Sequence, residues 1–461
     1  MKDTSSKYLY SHYQYLDNKK VQISGWAKTI RDSKNIGFVE LNDGFFKSVQ
    51  IVLQKENLVN FDEIIKQNVG ASFTIQGNVV ITPSNQQPFE INATSVEIVG
   101  ECATDYPLQK KRHSFEFLRE NAYLRARTNT FNAVFRVRST AAFLIHQFFN
   151  ENDFVYLNTP LITSSDCEGA GAMFQVTTLE LDKLGKNEKI DYTKDFFGKK
   201  TFLTVSGQLN EECFTHAFKN TYTFGPTFRA EKSNTARHAA EFWMMEPEMC
   251  FTDINGLMDN EEKMLKYVVS GILERCKDEI EFLNKFVDND LTKRLNSIIK
   301  NDFVRLDYTE AITILEKVKD KFEYPVYWGV DLQSEHERYL TETVYKKPVF
   351  LMNYPKEIKA FYMKLNEDNK TVAAVDLLVP GIGELMGGSQ REENYELLKQ
   401  RIKDCGLDEK EYEAYLNLRR YGTCVHSGYG LGFERLIMYI TGISNIRDVC
   451  LFPRTAGNCD F

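Results

Sequence analysis

Two stretches of this chain carry residue types suited to holding a nucleotide. The first, Thr223–Glu248, reads TFGPTFRAEKSNTARHAAEFWMMEPE and places Arg229, Glu231, Arg237, His238 and Phe242 around two apparent strands joined by a polar loop. The second, Gly428–Leu436, reads GYGLGFERL, a Gly-rich strand running into an apolar helix with Arg435 at the junction. An arginine holds a phosphate bidentately. A carboxylate accepts from an adenine amino group, and an aromatic ring stacks on a base. A second arginine covers the other face of that base by cation–π contact. Neither stretch says much alone. Together, in this order, they predict a nucleotide site with no P-loop and no Rossmann fingerprint.

The elements that position these residues fall into two regions. Val21–Glu101 alternates apolar and polar residues in five short runs, VQISGWAKTI, GFVELNDG, SVQIVLQ, ASFTIQGNVVITP and FEINATSVEIVG. Turn residues separate the runs. Five strands with one helix near Glu56–Lys66 predict a small Greek-key barrel of the OB type over residues 1–104. Such barrels bind single-stranded nucleic acid by stacking bases on aromatics. Phe38 is then either a stacking platform, with Arg31, Gln50 and Glu90 reading base edges, or a filler of the barrel core. The barrel taken alone favours the filler.

Residues 105–128 form a charged connector with Pro107, expected to be a hinge. From residue 129 the pattern becomes helical, FNAVFRVRSTAAFLIHQFFNEN keeping apolar residues at three- and four-residue spacing. Val155–Ile162 reads as a strand ending at a proline. Strands then alternate with helices to residue 461, interrupted by a mostly helical insertion over 257–318. The fold class expected is α+β.

Composition narrows the functional classes. The 461 residues are 13% aromatic and 26% charged, which describes an ordered globular protein of two or three domains. The nine cysteines are scattered and never form a CxxC pair, so neither a disulfide framework nor a zinc site is suggested. The N-terminal MKDTSSKYLYSHYQYL has no apolar core, and no apolar run reaches membrane-spanning length. A soluble cytoplasmic protein is expected. The net charge is −8, yet Lys19–Lys34 holds four lysines and one arginine against one aspartate. Gln109–Arg138 holds eight basic residues against two acidic ones. Two basic surfaces on an acidic protein are either solvated faces or contacts for a phosphate backbone.

The motifs have a family. The helix and strand ending at Pro160 resemble motif 1 of the class II aminoacyl-tRNA synthetases, FRAE…RH…EF resembles motif 2, and GLGFERL resembles motif 3. The barrel ahead of them resembles the aspartyl/asparaginyl/lysyl subgroup. Within it the chain is most similar to the asparaginyl enzymes of bacterial or organellar form. SDCEGAGAMF, TVSGQLNEE, WGVDLQSEHERYLTE, NYPKEIKAFYMKL, VPGIGELMGGSQREE and the closing FPRTAGNCDF carry that likeness.

The resemblance implies ligation of L-asparagine to tRNA-Asn through an adenylate, with ATP as substrate and Mg²⁺ as cofactor. It implies that Arg229 holds the α-phosphate and the amino-acid carboxylate, and that Glu231 accepts from the adenine amino group. Phe242 and Arg435 sandwich the ring, while Arg237 and His238 meet the β,γ-phosphates and the acceptor end. Asp376 and Glu384 become the magnesium ligands, with hard oxygens of the kind that ion prefers.

Glu168 and Gln208 would take the substrate ammonium, and Arg391 its side-chain carbonyl. Glu211 would accept from the amide NH₂ where aspartyl relatives carry a lysine, so that charge reversal excludes aspartate. The barrel would read the anticodon through Arg31, Phe38, Gln50 and Glu90, and motif 1 would build a homodimer. Competing readings are an aspartyl enzyme, an asparagine-forming paralogue without a barrel, and a catalytically dead RNA-binding scaffold.

Overall fold

The structure is a computed structural model that describes residues 2–83, 87–167, 172–183, 189–233 and 235–460. Glu168, one of the expected ammonium ligands, lies outside the described residues. The chain divides into two compact units, Met1–Ala133 and Val134–Phe461.

In the first unit five strands close into a barrel: β1 (Lys20–Ser33), β2 (Ile36–Asn42), β3 (Val49–Gln54), β4 (Ser72–Ile81) and β5 (Phe89–Gly100). Their order is β1-β2-β3-β5-β4, with β3 and β5 parallel and the other neighbours antiparallel. Alternation sets the two faces of each strand. Val39 and Leu41, Val49, Ile51 and Leu53, and Phe89 and Ile91 point into the core. An N-terminal helix, α1 (Ser6–His12), adds Leu9 to that core and is capped by Ser5, whose hydroxyl accepts from the Tyr8 N–H at 3.2 Å. The helix expected over 56–66 is shorter. A 3₁₀ turn at Lys55–Asn57 is followed by extended Leu58, and only Phe61–Ile65 (α2) is α-helical, burying Phe61 and Ile64.

The second unit is built on an eight-stranded sheet. Its strands are β6 (Val155–Leu157), β7 (Asn220–Phe228), β8 (Glu241–Cys250), β9 (Val304–Asp307), β10 (Val349–Pro355), β11 (Thr371–Val379), β12 (Gly383–Gln390) and β13 (His426–Gly432). The order is β9-β10-β11-β12-β13-β8-β7-β6, parallel only at the two ends. Helix α3 (Asn129–Glu151) gives this unit Val137, Leu144, Ile145, Phe148 and Phe149 as buried residues. Phe143 on the same helix is 58% exposed. Leu144, Phe148 and Phe149 therefore serve an intrachain core.

The expected helical stretch 257–318 is interrupted. Helices Ile254–Arg275 and Lys277–Phe286 and a third at Leu291–Lys300 come first, and β9 then joins the sheet edge before the helix Tyr308–Glu316. The four residues of β9 bury only one side chain, Leu306, fully, which is too little pattern to read as a strand from sequence.

Candidate active site

The antiparallel register of β7 and β8 brings the first nucleotide residues together. Phe228 opposes Glu241 and Thr227 opposes Phe242, so Arg229 leaves β7 beside the start of β8. Its N–H donates to Ala240 O at 3.0 Å, and its guanidinium carbon stands 5.6 Å from the Phe242 ring centroid. Strand β13 lies on the other side of β8, with Gly432 opposite Met244, and delivers the chain into helix α5 (Phe433–Thr441). Arg435 in the first turn donates through Nη1 to Glu384 O at 3.2 Å and to its Oε2 at 3.3 Å. Arg229, Glu231, Arg237, His238, Phe242, Glu384 and Arg435 all line one cleft.

Positive charge concentrates at the mouth of that cleft. Arg237 donates to Ser334 Oγ at 2.9 Å, and its pKa is lowered first by burial and then by Arg435. His238 is exposed and bonded to Thr235 Oγ1. Two neighbouring guanidiniums repel each other until an anion arrives, which suits a polyphosphate.

Asp376 on β11 sits opposite Gly387 on β12, and Glu384 begins the same hairpin arm. A Cβ added at Gly387 would stand 3.1 Å from Glu384 Oε1 and 3.3 Å from Asp376 Oδ1. The two carboxylates thus face one point that only glycine leaves open. Lys359 Nζ lies 2.6 Å from Asp376 Oδ2 and 3.9 Å from the Tyr354 ring centroid.

Burial raises the Asp376 pKa against the pull of Lys359, whereas Arg435 and Lys359 overcome burial at Glu384 and lower it. Glu337 accepts from the Glu384 N–H at 3.1 Å and is pushed up to about 7, by burial and then by Glu384. Paired oxygens over a bare glycine fit a hard divalent cation.

Deeper along the sheet is a second, drier cluster. Helix α4 (Gln208–Phe218) starts there with Gln208, Glu211 and Glu212 all buried. Glu211 Oε1 accepts from Thr221 Oγ1 at 2.9 Å, while its Oε2 is buried without a partner. Burial, and then Glu248 and Glu246, push its pKa well above the carboxylate range. Burial among like charges thus works against the negative charge expected at this position.

The next residue behaves oppositely. Glu212 accepts from Gln208 Nε2 at 3.0 Å, Tyr415 OH at 2.7 Å and Arg419 Nη2 at 3.0 Å, with His426 Nε2 also at 3.0 Å. Burial opposes its charge, but Arg419 and His426 outweigh that and hold its pKa well below the usual range. Arg391 reaches Glu248 on β8, Nε standing 3.1 Å from Oε1, while Nη1 donates to Ser389 Oγ at 2.7 Å. Burial lifts Glu248 to about 7 against the pull of Arg391. Gly428 on β13 is bare because a Cβ there would collide with the Glu248 carboxyl.

Glu212, Glu248, Arg419 and Lys359 were not singled out from sequence. Glu248 had a signal, a carboxylate that with Glu246 interrupts the apolar residues of its strand. Arg419 lies 207 residues from Glu212 and had none.

In the barrel, Arg31 opposes Phe38 across β1 and β2, its guanidinium 5.7 Å from the ring centroid. Phe38 alternates with buried Val39 and is only half-buried, so it sits on the outer face and does not fill the core. Gln50 and Glu90 directly precede the Ile51↔Ile91 pair and share that outer face. Burial raises the Glu90 pKa.

Residues 114–456 match the family model of class II tRNA synthetases (D, K and N). The chain belongs to that family. Residues 21–99 of this synthetase match the OB-fold nucleic acid binding domain. It is 58% identical to the asparagine–tRNA ligase of Clostridium tetani and 60% identical to that of Desulfitobacterium hafniense, over the full length of each. Among solved structures it is similar to the asparaginyl-tRNA synthetase from Pyrococcus horikoshii complexed with asparaginyl-adenylate. That likeness has 32% identity and a TM-score of 0.88 and covers 100% of this chain and 99% of that one. Likeness to the aspartyl enzyme of Entamoeba histolytica, at 24% identity and a TM-score of 0.78, concerns the fold alone.

Proposed function

We propose that this synthetase ligates L-asparagine to tRNA-Asn through an asparaginyl-adenylate, releasing pyrophosphate and then AMP. One observation carries the choice of amino acid. Among the described residues of the inner cluster, each arginine is matched by a glutamate, Arg391 by Glu248 and Arg419 by Glu212. A substrate with a side-chain carboxylate would meet no spare positive charge there, and an unpaired buried charge is expensive. A neutral amide meets Arg391 as donor to its oxygen and the unpartnered Glu211 Oε2 as acceptor for its NH₂. The two asparagine–tRNA ligases and the asparaginyl-adenylate complex named above concern the same amino acid.

In the first step the asparagine carboxylate attacks the α-phosphorus of ATP in line, and pyrophosphate leaves. No protein base is required, since the carboxylate is already a nucleophile. Arg229 draws the two anions together and stabilises charge on the α-phosphate. Glu231 accepts from the adenine amino group, and Phe242 and Arg435 hold the ring between them. Arg237 and His238 receive the β,γ-phosphates. Gln208, with Glu168, orients the ammonium. Asp376 and Glu384 would hold Mg²⁺, which supplies neutralisation of phosphate charge when bound. In the second step the terminal adenosine hydroxyl of the tRNA attacks the mixed anhydride, and AMP leaves. The outer face of the barrel around Phe38, Arg31, Gln50 and Glu90 takes the anticodon.

We further propose that the enzyme works as a homodimer in the cytoplasm. No described helix is long and apolar enough to cross a membrane, which agrees with that. Charging of tRNA-Asn transcript with labelled asparagine tests the reading. Charging of tRNA-Asn with aspartate in its place would refute it.

A further inference from the structure

Behind the amino-acid cluster, where helix α4 meets the ends of β8 and β13, lie three side chains that the reaction above does not use as reactants. His216, Cys424 and His426 place one ligand-type atom each within 4.8 Å of one another. The two imidazoles are edge to face, with centroids 4.8 Å apart and an interplanar angle of 77°. His216 Nδ1 lies 2.8 Å from the main-chain oxygen of Glu212, which can only accept, so Nδ1 carries the proton. Its Nε2 therefore presents a lone pair, and that atom is buried with no hydrogen-bond partner. A half-buried histidine whose second nitrogen is fixed by a carbonyl is the arrangement that orients metal-ligating imidazoles. His426 is oriented in the same manner, Nδ1 lying 2.9 Å from Cys424 O. Its Nε2 faces Glu212 Oε2 at 3.0 Å.

We propose that His216, Cys424 and His426 form a binding site for a borderline-soft divalent cation of the Zn²⁺ type, joined to the amino-acid cluster through Glu212. Two imidazole nitrogens and one sulfur are the donor set such ions select over magnesium or calcium. Around a tetrahedral ion, neighbouring ligand atoms stand about 3.5 Å apart, so the three need draw together by only about an ångström. Binding converts the Cys424 thiol to a thiolate bonded to the metal and displaces the proton that His426 Nε2 donates to Glu212, and both protons pass to solvent. His216 enters with its lone pair and loses no proton. An open depression lined by Phe251, Thr252, Thr423 and Cys424 gives the ion a way in and leaves room for water as fourth ligand.

The site is tied to asparagine recognition because both histidines lean on Glu212. His216 holds its carbonyl and His426 its carboxylate, and that carboxylate also receives Gln208, Tyr415 and Arg419. An ion that takes the Nε2 of His426 removes one of these partners, and Glu212 shifts. Occupancy therefore weakens asparagine binding. This second half rests on the proposed asparagine site; the metal site itself does not.

The probe is Co²⁺, whose bond to a thiolate gives a charge-transfer band in the near ultraviolet. The full-length protein is titrated under reductant, since the Cys250 thiol touches Cys424. Exposed Cys213, Cys405 and Cys459 are replaced by serine in every sample. The expected result is one Co²⁺ per chain with the thiolate band, lost in both C424S and H216Q while their circular dichroism stays native. Zn²⁺ added in equal amount abolishes the band by displacement. No band in the parent protein, or an equal band in natively folded C424S and H216Q, overturns the site. A band with an unchanged KM for asparagine in pyrophosphate exchange leaves the site standing and overturns its coupling. Loss of exchange with asparagine altogether would fall on the proposed function, because the absorbance is read without substrate.

Discussion

Arg391 and Glu248, 143 residues apart in the chain, form a doubly contacted ion pair in which the two side chains are 3% and 1% exposed. The pair explains how an arginine sits beside the amino-acid site without offering an unmatched charge. Removing one partner of such a pair leaves the other buried and uncompensated. E248Q is expected to cost about 3–5 kcal/mol of stability, read as a fall in the denaturant midpoint. It should also raise the KM for asparagine, because Arg391 loses the anchor that aims its Nη1. A variant with the parent midpoint and KM would show the pair to be incidental.

Glu211 and Glu212 are adjacent and both fully buried, and their surroundings shift their pKa values in opposite directions. Replacing a neutral acid by an amide of the same shape changes little, so E211Q should alter stability by less than about 1 kcal/mol and keep asparagine-dependent exchange. E212Q takes the charge from a carboxylate that balances Arg419 and should cost about 3 kcal/mol. Chemical denaturation of both proteins checks the contrast. Equal losses would mean that Glu211 is ionised after all.

The barrel and the gathering of Arg229, Glu231, Phe242 and Arg435 along one cleft were legible in the sequence because they depend on local order. Arg229 follows a β-strand, Phe242 opens the next, and Arg435 starts a helix after a glycine run. Asp376 and Glu384 flank one turn, and the single observation that joins them in space, bare Gly387, was also within the quoted motif. What stayed hidden depends on distant packing. Nothing near Arg419 points to Glu212, and nothing near Lys359 points to Asp376. The upward pull on the Glu211 pKa was hidden for the same reason, since it comes from burial and then from Glu248 and Glu246 on a distant strand. Strand β9 escaped because four residues with a single fully buried side chain carry no usable period. The outward aim of Phe38 was undecidable until the barrel's register fixed which face of β2 is inside.

Phe38 stands on that outer face with Arg31 stacked beside it. Loss of one base–aromatic stack weakens binding by about 1–3 kcal/mol. F38A should therefore raise the Kd for tRNA-Asn by roughly 5- to 150-fold, measured by filter binding, while tRNA-independent exchange is untouched. Unchanged tRNA affinity would move the anticodon contact elsewhere.

Asp195 gives an acid limb to stability. The Thr178 N–H donates to its Oδ1 at 2.9 Å, and that bond, followed by one to the Thr177 side chain, lowers its pKa to about 2. A carboxylate with a depressed folded-state pKa stabilises above its ordinary value of 3.8 and loses that contribution as pH falls towards 2. Thermal unfolding of D195N followed from pH 5 to pH 2 should decline less steeply than that of the parent. Parallel curves would show that Asp195 has no part in the acid transition.

On the proposed reading, a cluster in which each arginine is matched by a glutamate selects the neutral amide. Amino-acid-dependent ATP–pyrophosphate exchange decides this, with asparagine and aspartate supplied separately to the purified protein in magnesium. Exchange with asparagine and none above background with aspartate is the predicted result. Exchange with aspartate at a kcat/KM equal to or above that for asparagine would contradict it.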